Sequence, residues 1–217
     1  MPVAIRRVRS LLNKLAYERF AEHVSAFREI LANVDSGEFG TVVDLIGRHA
    51  VIARGDFIVL YASFIKELSQ DCPDLSAAVL ERVDLELRLG LESDSEEDNV
   101  RFFNIVELIA ALCRNGVVPT QTVKTFIENA FRHGTPTALE AVYRMLNVMR
   151  AEHEKMFSSC FDQLAYSWTP RFSNRLRFLI LDLIELRGRL WLPRRPPAIP
   201  GMMKRTDFRR LLQQHTG

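Results

Sequence analysis

No apolar stretch of these 217 residues is long enough to cross a bilayer; runs such as Phe57 to Phe64 fall far short of the ~20 residues that a spanning helix needs. The opening, Met1 to Arg9, carries charge with no apolar run of signal-peptide type behind it. Cysteine is scarce. Cys72, Cys113 and Cys160 are far apart, odd in number and without metal-ligand spacing, the usage of reduced thiols inside a cell. No N-x-[ST] glycosylation acceptor occurs, which agrees with that compartment. Charge of one sign is also lacking: the formal net charge is +2, so the sum implies neither a nucleic-acid nor a membrane partner. The chain is expected to be soluble and intracellular.

Catalytic motifs are missing too. Gly37-Glu38-Phe39-Gly40 has neither the spacing nor the lysine of a phosphate loop. None of His23, His49, His133, His153 and His215 pairs with a further ligand at metal-site spacing, so no metal or other cofactor is expected. His23 and His49 fall within amphipathic helices, as surface or satisfied core histidines. Glu152, His153 and Glu154 are adjacent and point in different directions on a helix, which makes a solvated face of them rather than an acid/base centre. Cys113 and Cys160 sit in apolar helical contexts and read as packed. Nothing here argues for an enzyme.

What is present is helical. Apolar residues recur at i, i+3, i+4 and i+7 in Phe20, Val24, Phe27, Ile30, Leu31 and Val34, and again in Leu176, Leu179, Ile180, Leu183 and Leu186. No convincing period-2 stretch of strand length occurs. Breaks fall at Ser36-Gly37, Arg54 to Asp56, Asp71 to Asp74, Gly116 to Pro119, His133 to Pro136, Thr169-Pro170 and Gly188. Asp74, Thr135 and Ser173 are expected N-caps, because their side-chain oxygens can take orphan backbone amides. About ten helices in antiparallel pairs, roughly forty residues to a pair, predict an all-α, HEAT-like solenoid rather than a compact bundle.

Two segments stand apart. Glu92 to Asp98 holds five acids in seven residues and reads as a mobile loop between helices. Residues 1–190 form the helical domain, and residues 191–217 a proline-containing basic tail with a short helix expected over Thr206 to Gln214. Toward that end Arg187, Arg189, Arg194, Arg195, Lys204, Arg205, Arg209 and Arg210 face the single acid Asp207. Such a cluster can hold RNA phosphates through paired arginine donors, or simply decorate the surface, with Arg187 pairing to Glu185 or a helix end. Trp191 is the one aromatic of the early tail and is expected to plug it onto the last helix pair.

Two motifs carry a resemblance. Arg6-Arg7-Val8-Arg9-Ser10-Leu11-Leu12-Asn13-Lys14-Leu15, followed by Phe20, resembles the opening of the middle domain of eukaryotic translation initiation factor 4G. Arg175, Arg177-Phe178, Asp182 to Gly188, and Trp191 with Pro193, Arg194 and Arg195 resemble its close. Arg82 to Glu86 and Asn99 to Phe102 resemble interior helices. The similarity runs from about residue 5 to residue 195, in a divergent member: Ala16-Tyr17 replaces the usual Thr-Pro, and the loop after Glu86 is short.

The resemblance implies a crescent of five antiparallel helix pairs that docks the DEAD-box RNA helicase initiation factor 4A and holds its two lobes half open. It makes Leu12, Asn13, Lys14, Leu15 and Phe20 one helicase contact, and Arg177 and Arg187 the other. Leu12, Leu15 and Phe20 also read as core; Asn13 and Lys14 do not. RNA-binding candidates are Arg189, Arg194, Arg195, Lys204, Arg205, Arg209 and Arg210. No cap-binding-protein motif is present, so that partner would be reached through regions outside this chain. The expected setting is cytoplasmic and the expected state monomeric. Two alternatives remain: a related middle domain of an mRNA decay, splicing or poly(A)-linked factor, and an RNA-binding module acting through its tail.

Overall fold

The computed structural model describes residues 3–53, 55–92, 96–167 and 172–192, and every regular element among them is a helix. In chain order these are α1 (Val3–Leu12), a 3₁₀ turn (Tyr17–Arg19), α2 (Phe20–Asn33), α3 (Ser36–Ile52), α4 (Asp56–Asp71) and α5 (Pro73–Glu92). There follow α6 (Glu96–Arg114), α7 (Thr120–His133), α8 (Pro136–Met149), a second 3₁₀ turn (Ala151–His153), α9 (Glu154–Tyr166) and α10 (Asn174–Gly188). Ten α-helices joined by short turns make an all-α solenoid.

Its ends are set locally. Thr135 Oγ1 accepts from Ala138 N at 3.2 Å ahead of Pro136, and Ser173 Oγ accepts from Leu176 N at 3.3 Å; both capping expectations hold. Gly134 closes α7 at φ +63, the left-handed conformation that lets its amide reach Ala130 O. Asp74 is not a cap: α5 begins one residue earlier at Pro73, whose fixed φ and missing N–H suit the first helical position. Gly37 does not break the chain either, since it lies inside α3. The acidic block is shorter as a loop than expected, because Glu92 ends α5 and Glu96 begins α6. The tail helix expected over Thr206 to Gln214 and the Thr169-Pro170 break lie outside the described residues.

The helices pack in two layers. α2, α4, α6, α8 and α10 stack in that order in one layer, and α1, α3 and α5 line up in the other. α7 and α9 each pack on α8. One continuous apolar core runs from Ile5 in α1 to Leu183 in α10, so the described helices form a single cooperative body. The Phe27 and Phe64 rings meet edge-on at 4.8 Å between α2 and α4, and both are fully buried. All three cysteines are free thiols; burial pushes the Cys113 and Cys160 thiols up, away from the reactive thiolate.

Alternation fixes which residues share an edge. Even-numbered helices all start on one edge of the stack, so the α1–α2 turn and the first turn of α10 are on that edge. The α8–α9 turn and the end of α10 are on the opposite one.

At the α5–α6 contact, Gly90 touches the Phe102 ring, and a methyl group on Gly90 would fall within that ring. Phe102 is only 2% exposed, with Phe103 and Phe126 centroids at 5.8 and 6.3 Å, so it has little room to turn aside. The helix-propensity gain of alanine, about 1 kcal/mol, is expected to lose to an overpacking cost of about 1–3 kcal/mol. Gly90→Ala should therefore lower stability, by about 1 kcal/mol net, in urea denaturation; an unchanged midpoint would mean that Phe102 relaxes freely.

Candidate partner-binding surfaces

The first surface is the α1–α2 turn. Ile5, Val8 and Leu12 form the inner stripe of α1, and Leu15 continues it past the helix end. At 2% and 6% exposure Leu12 and Leu15 are core and unavailable to a partner, which resolves their two readings. The physical reason is spacing: three residues apart across a helix end, they point to one side. Asn13 and Lys14 between them are exposed. Phe20 is half-buried, its ring 6.4 Å from Phe64 in an edge-on contact.

Polar contacts from two other helices hold this turn still. His23, 4% exposed, places Nε2 2.7 Å from Lys14 O, so that nitrogen donates and the histidine is a satisfied core residue. Tyr61 OH donates to Leu12 O at 3.2 Å from within α4, and burial pushes its pKa up to about 12. Tyr17 OH donates to Asp56 O at 2.7 Å. Asn13 and Lys14 are thus a polar pair on a rigid loop, with the ordering entropy already spent at folding.

The opposite end of the chain differs from expectation. Arg187 is drawn inward: its Nε donates to Glu154 at 3.0 Å, and its other nitrogens to Asp162 at 2.6 Å and Ser158 at 3.0 Å. Its guanidinium also lies 5.1 Å from the Phe161 centroid. Every donor direction serves α9, so Arg187 joins the last two helices and is not an open contact. Trp191 completes the joint, donating to Glu154 at 2.7 Å and meeting Phe161 edge-on at 5.4 Å. The expected plug is there. Glu154 is accordingly no solvated acid: hydrogen bonds from Trp191 and Arg187 hold its carboxyl below the ordinary range. Glu152 is exposed, as expected of a solvated face, and pairs with Arg114 at 2.8 Å.

Arg177 is exposed in the first turns of α10, with Phe178 and Leu181 beside it at 61% and 42% exposure. Arg189 lies 3.6 Å from Glu185, its i−4 neighbour. Arg194, Arg195, Lys204, Arg205, Arg209 and Arg210 lie outside the described residues.

A polar network that sequence reasoning missed crosses the even layer. Glu140 in α8 is buried, takes both oxygens of its carboxylate to Arg175 of α10 at 2.7 and 2.9 Å, and accepts from Arg144 at 2.9 Å. Arg144 reaches Glu107 of α6 at 2.6 Å and covers the Phe103 ring at 4.5 Å. Burial pushes the Glu140 carboxyl up, but the hydrogen bonds and charges of Arg175 and Arg144 outweigh it and leave it below its ordinary value. Only the i, i+4 spacing of Glu140 and Arg144 was visible in the sequence.

Among the described residues, no three His, Cys, Asp or Glu side chains group to hold a metal, and no helix is long and apolar enough to cross a membrane.

Two measurements test the clamps. Arg187→Met should cost about 1–2 kcal/mol at pH 7, the worth of charge-assisted bonds that are partly solvent-screened. Because the Glu154 pKa is depressed, that stabilisation is present above the unfolded carboxyl value near ~4.3 and disappears as pH falls through the lower folded one. The wild-type and variant denaturation midpoints should therefore converge on acidification; a constant gap would exclude the ion pair as its source. Glu140→Ala should cost about 2–3 kcal/mol at pH 7, read by the same denaturation curves.

Against known proteins, the MIF4G domain matches residues 5–189, nearly all of the helical body. No curated protein matches the chain. MIF4G domains are helical scaffolds for protein–protein and RNA interactions. The layered helix pairs, the continuous core and this match over residues 5–189 agree: the chain belongs to the MIF4G domain family.

Proposed function

We propose that this chain is a non-catalytic, cytoplasmic scaffold of translation initiation, monomeric, which binds the DEAD-box RNA helicase initiation factor 4A. The observation that carries the reading is the α1–α2 turn. Asn13 and Lys14, in the motif that resembles the factor 4G opening, are exposed on a turn whose neighbours Leu12 and Leu15 are buried and whose carbonyls are bonded by Tyr61 and His23. A surface polar pair that is rigid without any need of it in the core is what a preorganised contact requires.

A helicase of two lobes needs a second contact, and Arg177 supports that part better than Arg187 does. Arg187 is drawn inward against α9, whereas Arg177 is solvent-exposed on the same edge of the solenoid as Asn13. Four interhelix steps of ~8–10 Å separate α2 from α10, roughly 35 Å along the stack. That span suits one contact per lobe. Holding the lobes half open would speed the helicase by favouring one of its states, which needs differential contact and no catalytic group here. The basic tail would add RNA contact on the same complex.

Titration calorimetry with initiation factor 4A tests this. Micromolar or tighter binding is expected, abolished by Asn13→Ala/Lys14→Glu and weakened about tenfold by Arg177→Glu, the loss of one good charged contact of ~1.4 kcal/mol. Circular dichroism should be unchanged in both variants. Absence of binding by the wild-type chain would overturn the reading in favour of a decay, splicing or poly(A)-linked relative.

A further inference from the structure

A groove on the opposite layer is not used by that reading. It runs between the second half of α3 and the facing parts of α5 and α6, with a cavity volume of about 860 Å³. The α3 residues along it extend from Val43 to Ile52, about 13 Å of helix at 1.5 Å per residue. Its walls are aliphatic, and two of them are open to solvent: Ile52 is 70% exposed and Val100 48% exposed. Aliphatic surface left open at the mouth of a large groove is a mark of a binding site.

The rim is cationic. Arg9 of α1, Arg48 of α3, and Arg82 and Arg101 of the far wall all line it, and Glu86 is the single carboxylate among the described lining residues. Arg82 and Arg101 both spend a donor on Glu86, at 3.1 and 2.6 Å, and Arg82 a second on Asp44 at 3.3 Å. Arg9 and Arg48 make no ion pair with any described residue. His49 does not add to the positive charge at neutral pH, because burial and then the charge of Arg9 hold its pKa below the ordinary value. The groove therefore presents a greasy trough with guanidinium groups on its lips, and among the described residues the positive charges outnumber the internal acid.

We propose that this groove is a docking site for an acidic amphipathic peptide segment of a partner protein, bound as about two helical turns. Its apolar side chains, spaced i, i+3 and i+4, fill the trough between Ile52 and Val100; its Asp and Glu side chains pair with Arg48, Arg9 and Arg101 at the rim. RNA fits less well. The described lining residues include no Phe, Tyr or Trp on which a base could stack, and a trough of aliphatic carbon offers nothing to a phosphate backbone. The site is independent of the helicase contact, because no proposed contact residue of that edge lines it.

The test is selection of a displayed library of 14-residue peptides on the full chain, followed by fluorescence anisotropy of the most enriched peptide. Enriched sequences should carry apolar residues at i, i+3 and i+4 with a surplus of Asp and Glu. Arg48→Glu and, separately, Ile52→Glu should each weaken the selected peptide at least tenfold; both residues are solvent-facing, so the fold should survive and circular dichroism verifies it. Asn13→Ala/Lys14→Glu should leave peptide affinity unchanged. Enrichment without acidic bias, no enrichment at all, affinity indifferent to both groove variants, or displacement of the peptide by a 20-nucleotide oligouridine would each overturn the proposal.

Discussion

From Ile105 to Cys113, every residue of α6 except Glu107 is buried. A helix that is apolar nearly all the way round has no solvated face to fall back on, so it must be enclosed on all sides. α4 and α8 cover its flanks within the even layer, and α3 and α5 cover it from the other. This enclosure explains the order of the whole stack. Each further pair adds burial to a neighbour that already needs it, which is how a solenoid is stabilised without a central point. It also explains why Gly90 is tolerated in α5: the close approach to Phe102 seals the most buried helix.

Charges finish what the apolar core begins. Toward the C-terminal end the helices have fewer neighbours, and there the structure relies on guanidinium groups that bridge elements. Arg175 and Arg144 converge on Glu140, and Arg187 with Trp191 on Glu154. Both acids are held ionised below their ordinary range, so the terminal pairs are coupled to pH on the acid side. Bidentate arginine contacts also fix direction, which undirected apolar packing does not.

The proposed binding surfaces sit where packing needs nothing from them. Asn13 and Lys14 project from a turn that Leu12, Leu15, His23 and Tyr61 secure, so their conformation is paid for by the core and their side chains remain outside. The groove between α3, α5 and α6 is another surplus: aliphatic carbon and the Arg9 and Arg48 side chains, which make no ion pair among the described residues. A scaffold of stacked pairs can carry several such surfaces at once, because edges and layers are separate faces of one rigid body.

Sequence by itself determined the helices, most of their boundaries and membership of the MIF4G domain family. Periodicity, the Thr135 and Ser173 caps and the Leu-Asn-Lys-Leu and Leu-Arg-Gly motifs act within a few residues, and short-range backbone geometry decides them. The start of α5 at Pro73 was misread because two neighbouring residues, Pro73 and Asp74, each carry an N-terminal signal, and the proline took the first position. Tertiary structure alone decided which side chains remain available. Leu12 and Lys14 belong to one motif, yet one is core and the other surface, because α4 closes over a single side of the turn. Arg187 and Arg177 read alike in the sequence, yet α9 supplies Glu154, Ser158 and Asp162 to Arg187 and draws it inward. A local pattern says that a residue is charged or apolar; only the partner brought up from 25 to 35 residues away says what that charge is bonded to.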